Sequence, residues 1–385
     1  MTKDPTMGKH LVLVGGGHAH LTALQRLGEY VARGHRVSLV NPTEHHYYSG
    51  MGPGLLAGLY APDQVRFHVR RLAEAGGAAF VPDRVVRIEA ARKLLLLASG
   101  ARLSYDIASF NIGSRIPDFF SVDPSSRVIP VKPIDGLYRA RQQILSALTA
   151  GPLQLVVVGG GAAGVELCGG LWRLLRDSGG RAELTLVAGR SLLAGFPSRV
   201  RRLARASLRQ RGVRILEGVR CRAMEGSRLL LDNGDLLDGD LVLSAVGVAP
   251  PPIFTEAQLP VGDDGGLLVD AHLRCVGVPE LFGGGDCIWL RDRPLPRIGV
   301  HAVRQSPILY HNLLAALEDR PLVCCYRPRK RALQLLNLGD GRAILQRGRL
   351  VLAGRWAWRL KDWIDRRFMA RFQPAEGDSE TEPKD

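Results

Sequence analysis

The chain lacks any apolar run of the ~18 to 20 residues that a membrane-spanning helix needs, and its polar start, residues 1–9, lacks the charged-then-apolar plan of a secretory signal. A cytoplasmic protein is the expectation. Cysteine is scarce and unpatterned: Cys168, Cys221, Cys275, Cys287, Cys324 and Cys325 include no Cys-x-x-Cys, which excludes a disulfide framework and a zinc site of recognisable spacing. Most of the six read as small buried hydrophobes. His18, His20, His45, His46, His272 and His301 offer no i, i+4 helical pair backed by a carboxylate, so no metal is expected. Acidic residues are few, 37 against 52 Lys plus Arg, and the resulting charge of +15 attracts anions: cofactor phosphates, acidic lipid or nucleic acid. Arginine is scattered, with denser runs only at 199–211 and 326–331, which argues against nucleic acid.

What is present is the composition of a globular protein, 46% hydrophobic and 23% charged, at 385 residues long enough for two or three domains. Two segments are built alike: an apolar run, a glycine cluster, an amphipathic stretch and a second apolar run. In the first, a strand at 10–14 leads through Gly15-Gly16-Gly17 to a helix at 19–33, stopped by Gly34, and a strand at 36–40. In the second, a strand at 154–158, Gly159-Gly160-Gly161, a helix at 163–176 and a strand at 183–187 repeat the plan. These are βαβ units, and the fold class is α/β with two Rossmann-like domains.

A strand that delivers glycines to a helix start brings backbone N–H groups and the helix dipole against a pyrophosphate, where a Cβ would collide. The second loop has the full form, Gly159-x-Gly161-x-x-Gly164, with Ala163 inside it at the start of the helix. The first departs from it: His20 stands where the third glycine lets helix and strand pack closely, so some local spreading is expected. The ribose-binding acid due ~20 residues beyond the loop is replaced by Asn41, with Glu44 as a substitute. A Rossmann-like domain without a ligand would use the same residues.

Between the units, strand-like pieces at 80–88, 93–97 and 105–111 suggest extra β structure rather than crossover helices. A hairpin-like pair, 228–231 and 240–245, flanks Asp232-Asn233-Gly234, and the second run continues to Gly247. Residues 374–385 are a polar, acidic tail expected to be disordered.

The twin loops, the strand end 241–247 and Pro279-Glu280-Leu281-Phe282-Gly283-Gly284-Gly285-Asp286 resemble the pyridine nucleotide-disulfide oxidoreductase superfamily, FAD proteins that include type II NADH dehydrogenases and sulfide:quinone oxidoreductases. A closer resemblance is to the flavoprotein module found alone or fused ahead of selenide, water dikinase. It is carried by Gly15-Gly16-Gly17-His18-Ala19-His20, the run 48–58 from Tyr48-Ser49 to Gly58, Pro130-Val131-Lys132-Pro133, and the run 361–369. That subgroup tolerates the missing ribose acid. The resemblance implies a discontinuous FAD domain (8–112 and 247–315), an NAD(P) domain (150–246) and a C-terminal region (316–373). It also implies FAD contacts from Gly113, Gly285, Asp286 and Gln305, and a role for Glu166 at the flavin–nicotinamide junction.

Lys132 is a plausible partner for Glu166, and a Lys132–Glu166 ion pair near the flavin N5 is the expected catalytic pair, the alternative being a solvated Glu166. Cys168 and Cys287 could lie near the flavin. No spaced cysteine pair follows the first unit, which disfavours a dithiol reductase and leaves a sulfide:quinone mechanism without visible support. Arg190, just past the second unit's last strand, suits the 2′-phosphate of NADPH, while Gly164 is the form usual for NADH. In the C-terminal segment, Trp356, Leu360, Trp363, Ile364 and Phe368 share a helical face, fit to lie on an anionic membrane or to pack on the flavin domain or a second subunit. The expectation is an FAD-dependent oxidoreductase that takes electrons from NADPH or NADH to a small-molecule acceptor. A membrane quinone reductase and a non-catalytic flavin-binding partner of a selenium enzyme stay open, as does a homodimer.

Overall fold

A computed structural model describes residues 8–117, 121–329 and 333–373; the expected disordered tail at 374–385 lies outside them. Ten strands form two parallel sheets. The first takes β1 (His10–Val14), β2 (Arg36–Val40), β3 (Ala79–Val81) and β4 (Ile107–Phe110), the second β5 (Val128–Pro130), β6 (Leu153–Val158), β7 (Ala182–Val187), β8 (Arg214–Leu216) and β9 (Leu241–Ser244). The late strand β10 (Leu281–Gly283) returns to the first sheet, whose order is β10-β4-β1-β2-β3; the second runs β5-β9-β6-β7-β8. Strands β1 and β6 are β-branched and leucine runs, and their central residues are buried on both faces, as a covered parallel sheet requires. Each sits at the point where strand order reverses, so each glycine loop opens into the crevice that such a switch creates.

The second sheet draws its edge strand from Val128–Pro130, well ahead of the boundary expected at 150. Strand 228–231 pairs not with 240–245 but antiparallel with Leu236–Asp238, leaving β9 free to enter the parallel sheet between β5 and β6. The turn at Asp232-Asn233-Gly234, where Gly234 has φ +90, is tight enough that the nearest residues pair first.

Among the helices are α1 (Leu21–Gln25) and α2 (Leu27–Ala32) after the first loop, α3 (Asp135–Leu148), α4 (Ala162–Ser178) after the second loop, α5 (Ser198–Gln210), α6 (Gly299–Leu317) and α7 (Arg355–Phe372). The expected helix at 19–33 is broken: a 3₁₀ turn at His18–His20 leads into α1, and Arg26 leaves helical geometry at φ −115, ψ 23 before α2. A C-terminal meander, β11 (Gln334–Asn337), β12 (Ala343–Arg347) and β13 (Leu350–Gly354), precedes α7. Helix α4 presses against this meander and against the short helix Gly52–Ala57 through two glycines. A Cβ on Gly169 would stand 2.5 Å from the Leu338 carbonyl oxygen, and one on Gly170 2.8 Å from that of Pro53. That close approach puts Glu166, one turn earlier on α4, among groups from the C-terminal unit.

Candidate active site

The first loop shows how an imidazole replaces a glycine. His20 is fully buried; its Nδ1–H donates to the Gly15 carbonyl (2.6 Å), and its Nε2 accepts from Ser109 Oγ (2.8 Å). Ser109 is small, which leaves the ring room between loop and strand β4. Burial holds the His20 pKa down at about 4, so the ring is neutral at pH 7, as the two bonds require.

Asn41, expected at a ribose, is turned inward. Its Oδ1 accepts from Gly16 N (2.9 Å) and its Nδ2 donates to the Thr43 carbonyl (2.6 Å), so it braces the loop instead. The substitute Glu44 is exposed and paired with Arg70 at 2.7 Å. Asn111, which the sequence reading passed over, is the hub: Oδ1 accepts from Ala19 N (3.0 Å) and Nδ2 donates to the Gly284 carbonyl (2.6 Å). It accounts for two glycines, since a Cβ on Gly17 would meet Asn111 Oδ1 at 2.2 Å and one on Gly285 would meet Asn111 Nδ2 at 2.4 Å. Ala19 is buried and needs Gly284 opposite it, where a Cβ would come within 2.7 Å.

A bridge between early and late sequence forms at Asp286. Lys132 Nζ donates to Asp286 Oδ2 (2.6 Å) and to Ser114 Oγ (2.8 Å), and Ser114 donates to the same carboxylate oxygen (2.9 Å). The expected Lys132–Glu166 ion pair is therefore not made: Lys132 is held by a carboxylate from the end of the first sheet. Gln305, on α6, accepts from Gly285 N at 2.7 Å. Ser49 lies against the start of α6, its Oγ 3.5 Å from where a Gly299 Cβ would be.

Glu166 lies elsewhere, half-buried. Its carboxylate accepts from Asn337 N (2.8 Å), and burial raises its pKa against the pull of Lys361 and Asn337. Lys361 donates to Asp365 Oδ2 (2.7 Å) and to the Gly50 carbonyl (2.8 Å), and Tyr48 OH donates to Asp365 Oδ1 (3.1 Å). Asp365 is likewise raised by burial, whereas Asp365 and Glu166 together hold the Lys361 ammonium above its usual range despite burial. Tyr48 lies tilted against both His18 and Phe368, with ring centroids at 5.3 and 4.7 Å, while those two rings stack on each other at 6.1 Å. His18 meets His46 at 3.1 Å, and burial followed by Lys132 lowers its pKa to about 4. Of this cluster the sequence singled out Glu166, Tyr48 and His18. Lys361 and Asp365 lay in a quoted segment, and their i, i+4 spacing was the signal available.

The second loop keeps the glycine form. A Cβ on Gly164 would stand 1.8 Å from the Gly159 carbonyl oxygen and one on Gly159, at φ +130, 2.3 Å from that of Ala245. Gly161 faces open space, and Ala163 and Gly247 are exposed at the same crevice mouth. Arg190 is exposed just beyond β7, with no carboxylate partner among the described residues. Cys168 and Cys287 are fully buried, and desolvation pushes the Cys287 thiol up to about 12 and that of Cys168 higher, so neither offers a thiolate. Among the described residues no group of three or more His, Cys, Asp and Glu side chains could hold a metal ion.

Two parallel sheets with glycine loops at their switch points define a two-dinucleotide α/β protein. The chain belongs to the pyridine nucleotide-disulphide oxidoreductase family, whose model matches residues 9–306. It is 25% identical over 361 residues to the demethylphylloquinone reductase NdbB of Synechocystis, covering 89% of this chain and 88% of that one. Its fold matches the sulfide:quinone oxidoreductase of Aquifex aeolicus (TM-score 0.78, 16% identity, 95% and 91% of the two chains). It also matches NDH2 of Plasmodium falciparum in complex with NADH (TM-score 0.78, 14% identity, 94% and 98%).

The chain is an FAD-dependent NAD(P)H oxidoreductase. The residues fit the flavin nucleotide: Gly113, at φ +71, faces open space, and Gln305 Nε2, His18 Nε2 and Arg304 Nη1 are buried polar atoms with no hydrogen-bond partner among the described residues. Such groups are costly unless something bonds them. The Gly15–Gly17 loop would hold the pyrophosphate, and Asp286 with Lys132 and Gln305 would hold the ribityl and ring end. The bound flavin supplies acceptance of a hydride and onward transfer of two electrons.

Proposed function

We propose that the acceptor is a quinone and that the protein works at a membrane surface, with the flavin carried by 8–112 and 247–315 and the nicotinamide nucleotide by the domain around 150–246. The observation that carries this is the group of buried Asp365 with half-buried Glu166 and Lys361. Glu166 and Asp365 both act on the Lys361 ammonium, and burial raises the pKa of each carboxyl. The upward shifts make these two carboxyls the candidates to pass on a proton. A quinone needs two protons along with two electrons, and a carboxyl of raised pKa beside Tyr48 and the flavin-side loop suits that chemistry.

The names of the relatives, a demethylphylloquinone reductase and a sulfide:quinone oxidoreductase, support a quinone acceptor. Arg190 supports NADPH as donor, its guanidinium matching a 2′-phosphate. The outward side of α7 supports a peripheral membrane position. Trp356 and Trp363 are 47% and 55% exposed, whereas Phe368 packs inward on Phe67 and Tyr48, which divides the face expected from the sequence. No helix among the described residues is long and apolar enough to cross a membrane.

The test is Glu166→Gln, read in two half-reactions. Reduction of the flavin by NADPH stays within about twofold, while reoxidation by a soluble quinone falls by roughly 10²-fold, the usual worth of a positioned acid. Equal slowing of both halves, or a parent protein that reduces no quinone, would remove the reading.

A further inference from the structure

We infer that the cleft between α4 and the first turn of α7 binds the phosphate of an anionic lipid headgroup. A cavity of about 430 Å³ opens there, lined by Arg173, Arg176, Arg355 and Arg359, with Leu59 and Trp358 as its apolar wall. One acid, Asp340, itself lines the cavity and another, Asp177, pairs with two of its arginines; both are already engaged. Asp340 is bound by Arg211, and Asp177 takes Arg173 at 2.8 Å and Arg176 at 2.6 Å. Arg355 and Arg359 have no carboxylate partner among the described residues, and so remain available to an added anion. Helix α7 adds to the positive field, since its first turn contains no acid and its cap residue, Gly354, has no side chain to satisfy the leading N–H groups. A phosphate group can take paired N–H donors from each guanidinium, which an ammonium could not offer in the same plane.

The surroundings favour a lipid over a soluble phosphate. Leu350 and Leu352, on the strand leading into α7, are 53% and 37% exposed, and Trp356 and Trp363 flank the two free arginines along the helix. Arg367 stacks on Trp363 with its guanidinium 5.2 Å from the ring centre. A phosphate-binding cleft bordered by exposed leucine and tryptophan matches a headgroup joined to acyl chains, whereas a soluble anion makes no use of the apolar border. The inference deepens the membrane-surface part of the proposed function and rests on it.

The experiment uses full-length, flavin-loaded protein and sedimentation with vesicles of phosphatidylcholine alone or mixed with phosphatidylglycerol. The parent binds the anionic vesicles at least tenfold more tightly. Arg355→Gln with Arg359→Gln removes that preference, while Arg84→Gln with Arg102→Gln, which lowers the charge equally at exposed sites on the small β sheet around 85–104, retains it. Retained flavin colour shows that each variant is folded. Equal losses in both double variants would reduce the effect to the general +15 charge and overturn the site, as would no loss in the first. Inorganic phosphate at matched ionic strength leaves the protein on the vesicles; displacement would make this a soluble-phosphate site and overturn the lipid assignment. Reduction of a water-soluble quinone by NADPH is unchanged in both variants, and its absence from the parent would strike the proposed activity while leaving the vesicle result standing.

Discussion

The two glycine loops perform one architectural task by different means. In the second, Gly164 lets α4 lie directly on the loop, and the close contact is backbone on backbone, with no side chain involved. In the first, His20 occupies the corresponding place, and the contact is rebuilt from side chains: His20 to Gly15 and Ser109, Asn41 to Gly16, Asn111 to Ala19 and Gly284. The consensus glycine is thus one solution to a geometric problem. A buried, fully hydrogen-bonded polar set is another, with the difference that it depends on several residues remaining neutral and correctly oriented.

That contrast can be broken at either loop. The largest effect belongs to Gly164→Val, whose side chain has no space against the Gly159 carbonyl. It costs about 3 kcal/mol or more and lowers the rate of flavin reduction by NADPH at least a hundredfold, while the purified protein stays yellow. Loss of flavin instead would show that the two loops are not separable. His20→Ala empties a buried site and orphans the Ser109 hydroxyl and Gly15 carbonyl, for roughly 2 to 4 kcal/mol measured by denaturant unfolding. His20→Gly does no better, since the first loop is not built for a glycine there.

Acid sharpens the comparison further. The folded protein keeps His20 neutral down to about pH 4, whereas the unfolded chain binds that proton near 6.5. The native state therefore holds fewer protons in this window, and stability is lost as pH falls through it, by roughly 3 kcal/mol for this group over the full window. His18 acts in the same direction. The fall in Tm from about pH 7 to about pH 5 is correspondingly shallower in His20→Asn; an unchanged slope would remove His20 from the account. The smallest effect is Arg190→Gln, which raises KM for NADPH about tenfold and leaves KM for NADH alone. Equal changes for both would deny Arg190 its phosphate.

The strands at 10–14, 36–40 and 153–158 and both loops were legible because local pattern alone determines them: apolar β-branched runs ending in glycines. The hydrogen bonds that replace the third glycine were not, because Ser109 and Asn111 lie some ninety residues from His20 and only the sheet brings them together. The same limit misassigned Lys132. Its carboxylate, Asp286, arrives with β10 from 154 residues away, and a pairing with Glu166 could be excluded only once α4 was seen to turn Glu166 toward Lys361 and Asp365. The break at Arg26 falls on a residue that is neither proline nor glycine, and Gly28, two residues on, was the one local signal for it. The division of the α7 face, Phe368 inward and Trp363 outward, depends on which flank of the helix meets β11 to β13 and the 45–68 segment.

The most direct test of the account is an anaerobic titration of the purified protein with NADPH, followed through the flavin absorption band. Bleaching that completes at one equivalent of NADPH per bound flavin is the predicted result. A colourless protein that takes up no added FAD, or a bound flavin that neither NADPH nor NADH reduces, would contradict it.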